Sequence, residues 1–403
     1  MKFFIHKILF ALILFAAMLS EKGFAQNTWV PKAGFNGTAR SGAAGFSIGN
    51  FGYIGTGRTL AISYTVDFWQ YDPASDSWMQ RADFAGTARR WAVGFSIGNY
   101  GYIGTGYDGV HLNDFWQYDP ANNSWLSKAA FPGTARYQAV GFSIGGYGYI
   151  GTGLDLNISY TNDFWQYDTT NDSWTQKTNF PGAARVGAAG FSIGSYGYLG
   201  TGYDGTSYHN DFWQYNPATD AWLARTNFGG TAREWAVGFS IGNYGYIGTG
   251  NDGSNRKDFW EYNSVNNSWS QKAVVGGVIR RLAAGFSIGN YGYIGTGDSL
   301  SIYQNDFWQY TPTAITGVPE SSYLSSMIFI YPDSPGSGIG IYNLENENHY
   351  VLDIYSMGGA KLYSGEITHR TFCILHFDFP AGIYLVHLTS GKETLTRKIM
   401  FNI

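Results

Sequence analysis

A five-residue segment, Gly-Phe-Ser-Ile-Gly, begins at Gly45, Gly94, Gly141, Gly190, Gly238 and Gly285, at steps of 49, 47, 49, 48 and 47 residues. A second marker, Asp-Phe-Trp, keeps the same phase at Asp67, Asp114, Asp163, Asp211, Asp258 and Asp306. A repeat of this length cannot bury its own apolar faces and must stack on its neighbours. Several short strands per unit then specify a β-propeller. In such a ring, function is to be sought where the copies differ.

The second copy shows how one unit is built. Apolar runs at 89–97, 100–106, 114–118 and 124–131 are separated by turn formers at Gly98-Asn99, Tyr107-Asp108-Gly109 and Asp119-Pro120. This predicts four antiparallel strands, one blade. The first run is rich in Ala and Gly, which suits a strand crowded against the axis. With 18% aromatic and only 13% charged residues, and 55 glycines, the composition fits an all-β chain. A net charge of −4 gives no electrostatic case for nucleic acid. The only cysteine, Cys373, excludes an internal disulfide and a CxxC metal site.

Lys2 and Lys7 precede an apolar run at 8–18 that is too short to span a bilayer. Gly23-Phe24-Ala25 then offers small residues for cleavage before Gln26, so residues 1–25 are expected to be a signal peptide. No further transmembrane segment is expected. The absence of a cysteine at the cleavage site argues against a lipid anchor.

The sixth copy ends at Tyr310 with no Trp after it, while the chain carries an unmatched fourth strand around Thr28-Trp29. That strand is expected to complete the last blade and leave no open edge. The unit resembles the kelch repeat. Each copy has an Arg before the first strand, and Tyr71/Trp78, Tyr118/Trp125, Tyr167/Trp174, Tyr215/Trp222 and Tyr262/Trp269 keep the kelch spacing of Tyr and Trp. The departure is Gly-Thr-Gly, as at Gly55-Thr56-Gly57, where kelch units usually carry a glycine pair. The resemblance implies a six-bladed kelch β-propeller over 26–311.

Gly-Phe-Ser-Ile-Gly matches the elbow of serine hydrolases, but it recurs six times with no helix to follow, so no catalytic serine is assigned. Gly-Tyr-Ile-Gly-Thr-Gly lacks the helix N-terminus that holds phosphate. His111 and His209 lie in loops without a ligand cluster, so no metal and no cofactor are expected. The Asp-Gly pairs at Asp108, Asp204 and Asp252 read as tight turns. The kelch copper-radical chemistry needs a cysteine that the propeller lacks.

Arg40, Arg89, Arg136, Arg185, Arg233 and Arg280 precede the first strand in every copy, and their presence throughout points to the scaffold. The two positions after them vary: Ser41-Gly42, Arg90-Trp91, Tyr137-Gln138, Val186-Gly187, Glu234-Trp235 and Arg281-Leu282. Blades two and five are opposite in a ring of six, so Trp91 is expected to face Trp235, and Arg90 to face Glu234. Arg90, Trp91, Tyr137, Glu234, Trp235 and Arg281 are the candidate ligand-binding residues. The expected ligand is a glycan or a protein. The rival expectation is a carbohydrate-active enzyme like the sialic-acid epimerases among kelch propellers, using Glu234 with Arg90 or Arg281.

After Tyr310 the phase is lost. Residues 312–326 read as a linker, and 327–403 as short alternating strands of a small β-sandwich. Tyr331-Pro332, then Leu352-Asp353-Ile354-Tyr355-Ser356-Met357-Gly358-Gly359, then Pro380-Ala381-Gly382-Ile383-Tyr384 and Lys398-Ile399-Met400 carry the next resemblance. This segment looks like a type A C-terminal sorting domain of the bacterial type IX secretion system, with Asp333-Ser334 where that family usually has Asn-Pro. The resemblance implies a source in the Bacteroidota, engagement of the type IX machinery, and an extracellular or cell-surface destination.

Overall fold

The computed structural model describes residues 27–61, 63–312, 329–332, 338–342, 349–356, 361–368, 372–376, 382–390 and 393–401. The expected signal peptide lies outside the described residues. The chain divides into two compact units, 1–312 and 313–403.

The first unit is a six-bladed propeller of four-stranded antiparallel sheets. Blade one runs Ala44–Ile48, Phe51–Gly55, Phe68–Asp72 and Ser77–Arg81, from the innermost strand outward. Five of the six sheets are continuous in sequence. The sixth takes its outer strand from the other end of the chain: Thr28–Lys32 pairs antiparallel with Phe307–Thr311, with Trp29 opposite Tyr310.

The aromatic pattern is explained by packing between blades. Each apolar layer draws on two neighbours, as where Phe46, Tyr53 and Phe68 of blade one meet Ile103 and Tyr118 of blade two. Tyr53 stacks on Phe68 at 5.4 Å, and Phe68 meets the edges of Tyr118 and Trp125 at 4.8 and 5.0 Å. The glycine of the second strand exists for this contact, because a Cβ on Gly101 would fall within the Phe46 ring.

The spacing of Tyr and Trp has an equally local cause. An Asp or Asn in the left-handed region precedes each outer strand, for example Asp76 at φ 48°. Its Oδ1 accepts the hydroxyl of Tyr71 at 2.7 Å and the backbone N–H of Ala33 at 3.0 Å, while Trp78 Nε1 donates to the carbonyl of Ala33. One residue of the neighbouring blade is thus held at both its N–H and its C=O. The N-terminal segment supplies the sixth copy of this clamp. Asn27 accepts from Tyr310 and from Ala273 N–H, and Trp29 donates to the Ala273 carbonyl.

One expected strand is broken. The run 89–97 predicts a single strand, but the strand proper is Val93–Ile97, because Trp91 turns into the left-handed region at φ 59°. The same break recurs in every copy, at Gly42, Gln138, Gly187, Trp235 and Leu282.

The second unit holds two antiparallel sheets, as a small sandwich requires. One has three strands, Phe329–Pro332, Gly338–Tyr342 and Phe372–His376. The other has four: Lys361–Thr368, His349–Ser356, Gly382–Ser390 and Glu393–Phe401. Tyr350, Leu352, Ile354, Ile367, Val386 and Leu388 are buried in the larger sheet, which shows the expected alternation along His349–Ser356.

Candidate functional site at the mouth of the ring

The repeated arginines are fully buried and each is committed to its own blade. Arg40 donates Nη1 and Nη2 to the two oxygens of Asp67, both at 2.6 Å, and Nη1 also reaches the Thr56 carbonyl at 2.9 Å. Trp69 Nε1 donates to the same Asp67 at 2.8 Å. Equivalent forks join Arg89 to Asp114, Arg136 to Asp163, Arg185 to Asp211, Arg233 to Asp258 and Arg280 to Asp306. The Arg backbone serves a different neighbour. Gly57 N–H of blade one donates to the Arg89 carbonyl of blade two at 2.7 Å, and Gly297 of blade six to Arg40 at 2.8 Å, closing the ring. Every guanidinium fork is thus occupied by the scaffold.

Gly-Thr-Gly belongs to the same device. Thr56 sits in the left-handed region at φ 62°, where a β-branched residue is costly, and this turns its carbonyl toward Arg40.

The residues at the breaks form a second, inner ring. Trp91 N–H donates to Gly42 C=O, Gln138 to Trp91, Gly187 to Gln138, Trp235 to Gly187, Leu282 to Trp235 and Gly42 to Leu282, at 2.8 to 3.2 Å. Six backbone hydrogen bonds close a circle around the axis. Two members are Gly because an indole lies on them: a Cβ on Gly42 would stand 2.6 Å from Trp91 Cδ1, and one on Gly187 2.6 Å from Trp235 Cδ1. Each Trp is therefore turned onto the preceding blade, and among the described residues no ring contact links the two.

The second variable position is set by the loops. Each loop between the second and third strands starts at a fixed residue after Gly-Thr-Gly and pairs with the residue following the repeated Arg. Tyr107 exchanges two hydrogen bonds with Arg90, Tyr203 with Val186, Asn251 with Glu234 and Asp298 with Arg281. These loop residues escape a reading of the repeats alone, although their constant offset from Gly-Thr-Gly is a signal that could have located them.

Two unlike halves result. On one side the Arg90 guanidinium lies 3.4 Å above Trp91, with Tyr64 and Tyr107 at 5.5 and 5.6 Å. Tyr137 meets Trp91 at 5.0 Å, and His111 stacks on Tyr137 at 4.8 Å. Burial holds the His111 imidazole below its ordinary value, partly offset by Asp155.

On the other side Arg281 lies 4.8 Å above Trp235 and is paired with Asp298 at 3.0 Å. Glu234 is 5% exposed. Burial pushes its carboxyl up to about 7, against the opposing charge of Arg281. Tyr160 and Tyr208 are both raised, first by their own burial; Tyr203 and then Glu234 add to this at Tyr160, and Glu234 and then Tyr203 at Tyr208. The charge felt by Glu234 is thus that of Arg281 in the next blade, and the contacts of Arg90 are with its own aromatic half.

The buried side-chain polar atoms without a hydrogen-bond partner, among the described residues, are the hydroxyls of three Gly-Thr-Gly threonines, Thr105, Thr152 and Thr249, and four nitrogens: Arg58 Nε, Arg90 Nε, His111 Nε2 and Trp235 Nε1. Buried donors are ordinarily satisfied, and leaving one unpaired costs about 1–3 kcal/mol.

Residues 330–402 match the family described as the secretion system C-terminal sorting domain. The chain therefore carries a type IX sorting domain, which directs it to the outer surface or the extracellular space. No curated protein matches the chain. Among solved structures, the one described as "Structure of YjhT" is similar at a TM-score of 0.59 and 15% identity, covering 68% of this chain and 95% of that one. The six sheets, their phase and this likeness make the first unit a six-bladed β-propeller.

Proposed function

We propose that the exported propeller is a binding module that takes a carbohydrate at the loop-face mouth, without covalent chemistry. The observation that carries this reading is the set of unpartnered nitrogens around two half-buried indoles. A sugar ring offers an apolar face to Trp91 or Trp235, and its hydroxyls accept the hydrogen bonds that Trp235 Nε1 and Arg90 Nε lack. A neutral imidazole at His111 can accept as well as donate, which suits a hydroxyl. Glycan-array binding of the full-length protein tests this. Trp91→Ala and Trp235→Ala should each lose at least tenfold in affinity while the melting curve stays cooperative. An array on which nothing binds overturns the carbohydrate and leaves protein recognition as the reading for this face.

A second reading, proton transfer on a bound sugar, is favoured by Glu234 alone, since a carboxyl titrating near neutrality is suited to general acid–base work. The discriminating variant is Glu234→Gln. If it abolishes turnover of a sugar that still binds, the protein is an enzyme.

The same residue gives a stability prediction with a definite sign. An unfolded Glu ionises near 4.5, whereas folded Glu234 holds its proton to about 7. Between those values the unfolded chain sheds a proton that the folded chain keeps, so the contribution of Glu234 falls as pH rises through that window. Glu234→Gln should remove this loss and stabilise the protein at pH 8 by roughly 3 kcal/mol, with little effect at pH 4. Denaturant melts at the two pH values check it, and a variant less stable at pH 8 would refute the raised carboxyl.

A further inference from the structure

The arginines of this molecule divide sharply by partner. Each member of the repeated ring has its aspartate, and Arg281 has Asp298. Arg58 and Arg90 have none: both are half-buried, both keep a buried Nε without a hydrogen-bond partner, and neither forms an ion pair among the described residues. They are neighbours across adjacent blades. Arg58 opens the first loop beside Ser41 and bridges to Tyr64 of that loop, and the Arg90 guanidinium of blade two lies 5.5 Å from the Tyr64 ring. The groups that act on Arg90 are Tyr64, Tyr107 and Tyr303, none of them a carboxylate, and Arg58 itself. Burial draws the Arg90 guanidinium below its ordinary value, and Arg58 adds repulsion.

Two like charges brought together and partly withdrawn from water, with no ion-paired carboxylate, form an arrangement that a bound anion would relieve. The guanidinium fork is matched to a planar or tetrahedral oxyanion. We propose that Arg58 and Arg90 form an anion subsite of the mouth, which takes the acidic group of a charged saccharide, a carboxylate or a sulfate. This rests on the carbohydrate reading above and names its ligand class. Trp235 and Glu234 in the opposite half would then meet the uncharged part of the chain, since Glu234 would repel a second anion.

The test is calorimetric titration of the full-length protein with three tetrasaccharide probes of one hexose series: neutral, hexuronate and sulfated. The acidic probes should bind about tenfold or more tightly than the neutral one. The ratio between hexuronate and sulfate identifies which anion is preferred. Arg58→Gln and Arg90→Gln should each bring the acidic probes down to the neutral affinity, and Trp235→Ala should weaken all three alike. Thermal melts without ligand confirm that the variants are folded, and Arg58→Gln stands in if Arg90→Gln is not. Equal binding of neutral and acidic probes, or a preference that survives both arginine changes, overturns the anion subsite and leaves the carbohydrate reading intact. If no saccharide binds, the melt is repeated with sodium sulfate and sodium acetate. A stabilisation lost in the double variant keeps the anion subsite and overturns the carbohydrate, and no stabilisation overturns both.

Discussion

Removing residues 27–36 will leave the propeller unable to hold its native packing. The segment does three things at once. It pairs along Phe307–Thr311 and so covers what is otherwise an open strand edge. It packs Trp29 against Phe259 and Tyr310 at 5.0 and 5.1 Å, and places Phe35, 1% exposed, against Trp78 at 5.1 Å. It also supplies one side of each of two blade clamps: Asn27 and Trp29 grip Ala273, and Ala33 is gripped by Asp76 and Trp78. Truncating a buried aromatic costs about 3–5 kcal/mol. Losing two, with the pairing, approaches the roughly 5–15 kcal/mol that holds a typical domain folded. Calorimetry should show the propeller transition lowered by tens of degrees or lost, with near-ultraviolet dichroism collapsed. A transition that coincides with that of the intact chain would mean the ring is closed in some other way.

The second large effect lies at an arginine fork. Asp258→Ala strands Arg233 without exposure to water and without its partner, because both oxygens of Asp258 are engaged by that guanidinium at 2.5 and 2.8 Å. Breaking a buried pair from one side costs about 3–5 kcal/mol, whereas replacing both partners by apolar residues is often neutral. Asp258→Ala should therefore be far more damaging than the double change Arg233→Met, Asp258→Leu, and urea melts of the two compare them directly. If the double variant is as unstable as the single one, the fork itself, rather than an uncompensated charge, carries the stability. The pair also sets an acid limit. Burial raises the Asp258 carboxyl, but the hydrogen bonds and charge of Arg233, with Trp260, outweigh it and hold it below its ordinary 3.8. Asp67, Asp211 and Asp306 are lowered in the same way, each by its own arginine against burial. Such groups stabilise the fold fully above the unfolded value and lose that contribution as pH falls through their folded values. Stability should hold down to about pH 4 and fall steeply below it.

The blades, their number and the crossed closure of the ring were legible in the residues because a repeat announces itself by phase. Trp29 is recognisable as a missing fourth strand only because five other copies show what should precede Phe35. Gly101 and Asp76 are legible for the same reason, and their physical roles, space for Phe46 and a left-handed clamp, follow once two blades are set face to face. The sorting module was legible from short motifs whose spacing depends on one strand at a time.

The mouth divides differently. That Arg90, Trp91, Tyr137, Glu234, Trp235 and Arg281 depart from the repeat is visible in the chain. That a backbone circle fixes two of them in the left-handed region, and lays each indole on a glycine one blade earlier, is not. Arg58 and Tyr107 open their loops at a fixed offset from Gly-Thr-Gly, but Tyr64, His111, Tyr160 and Tyr208 lie in loops of unlike length and sequence. Their meeting depends on how each loop folds back on the blade that follows it. Local periodicity determines strands, since each strand needs only its own alternation and its turns. The paired guanidinium groups find their carboxylates within one blade, but the surroundings of Arg90 draw on Tyr64, Tyr107 and Tyr303 of three different blades, and only the closed ring brings those side chains within reach of one another.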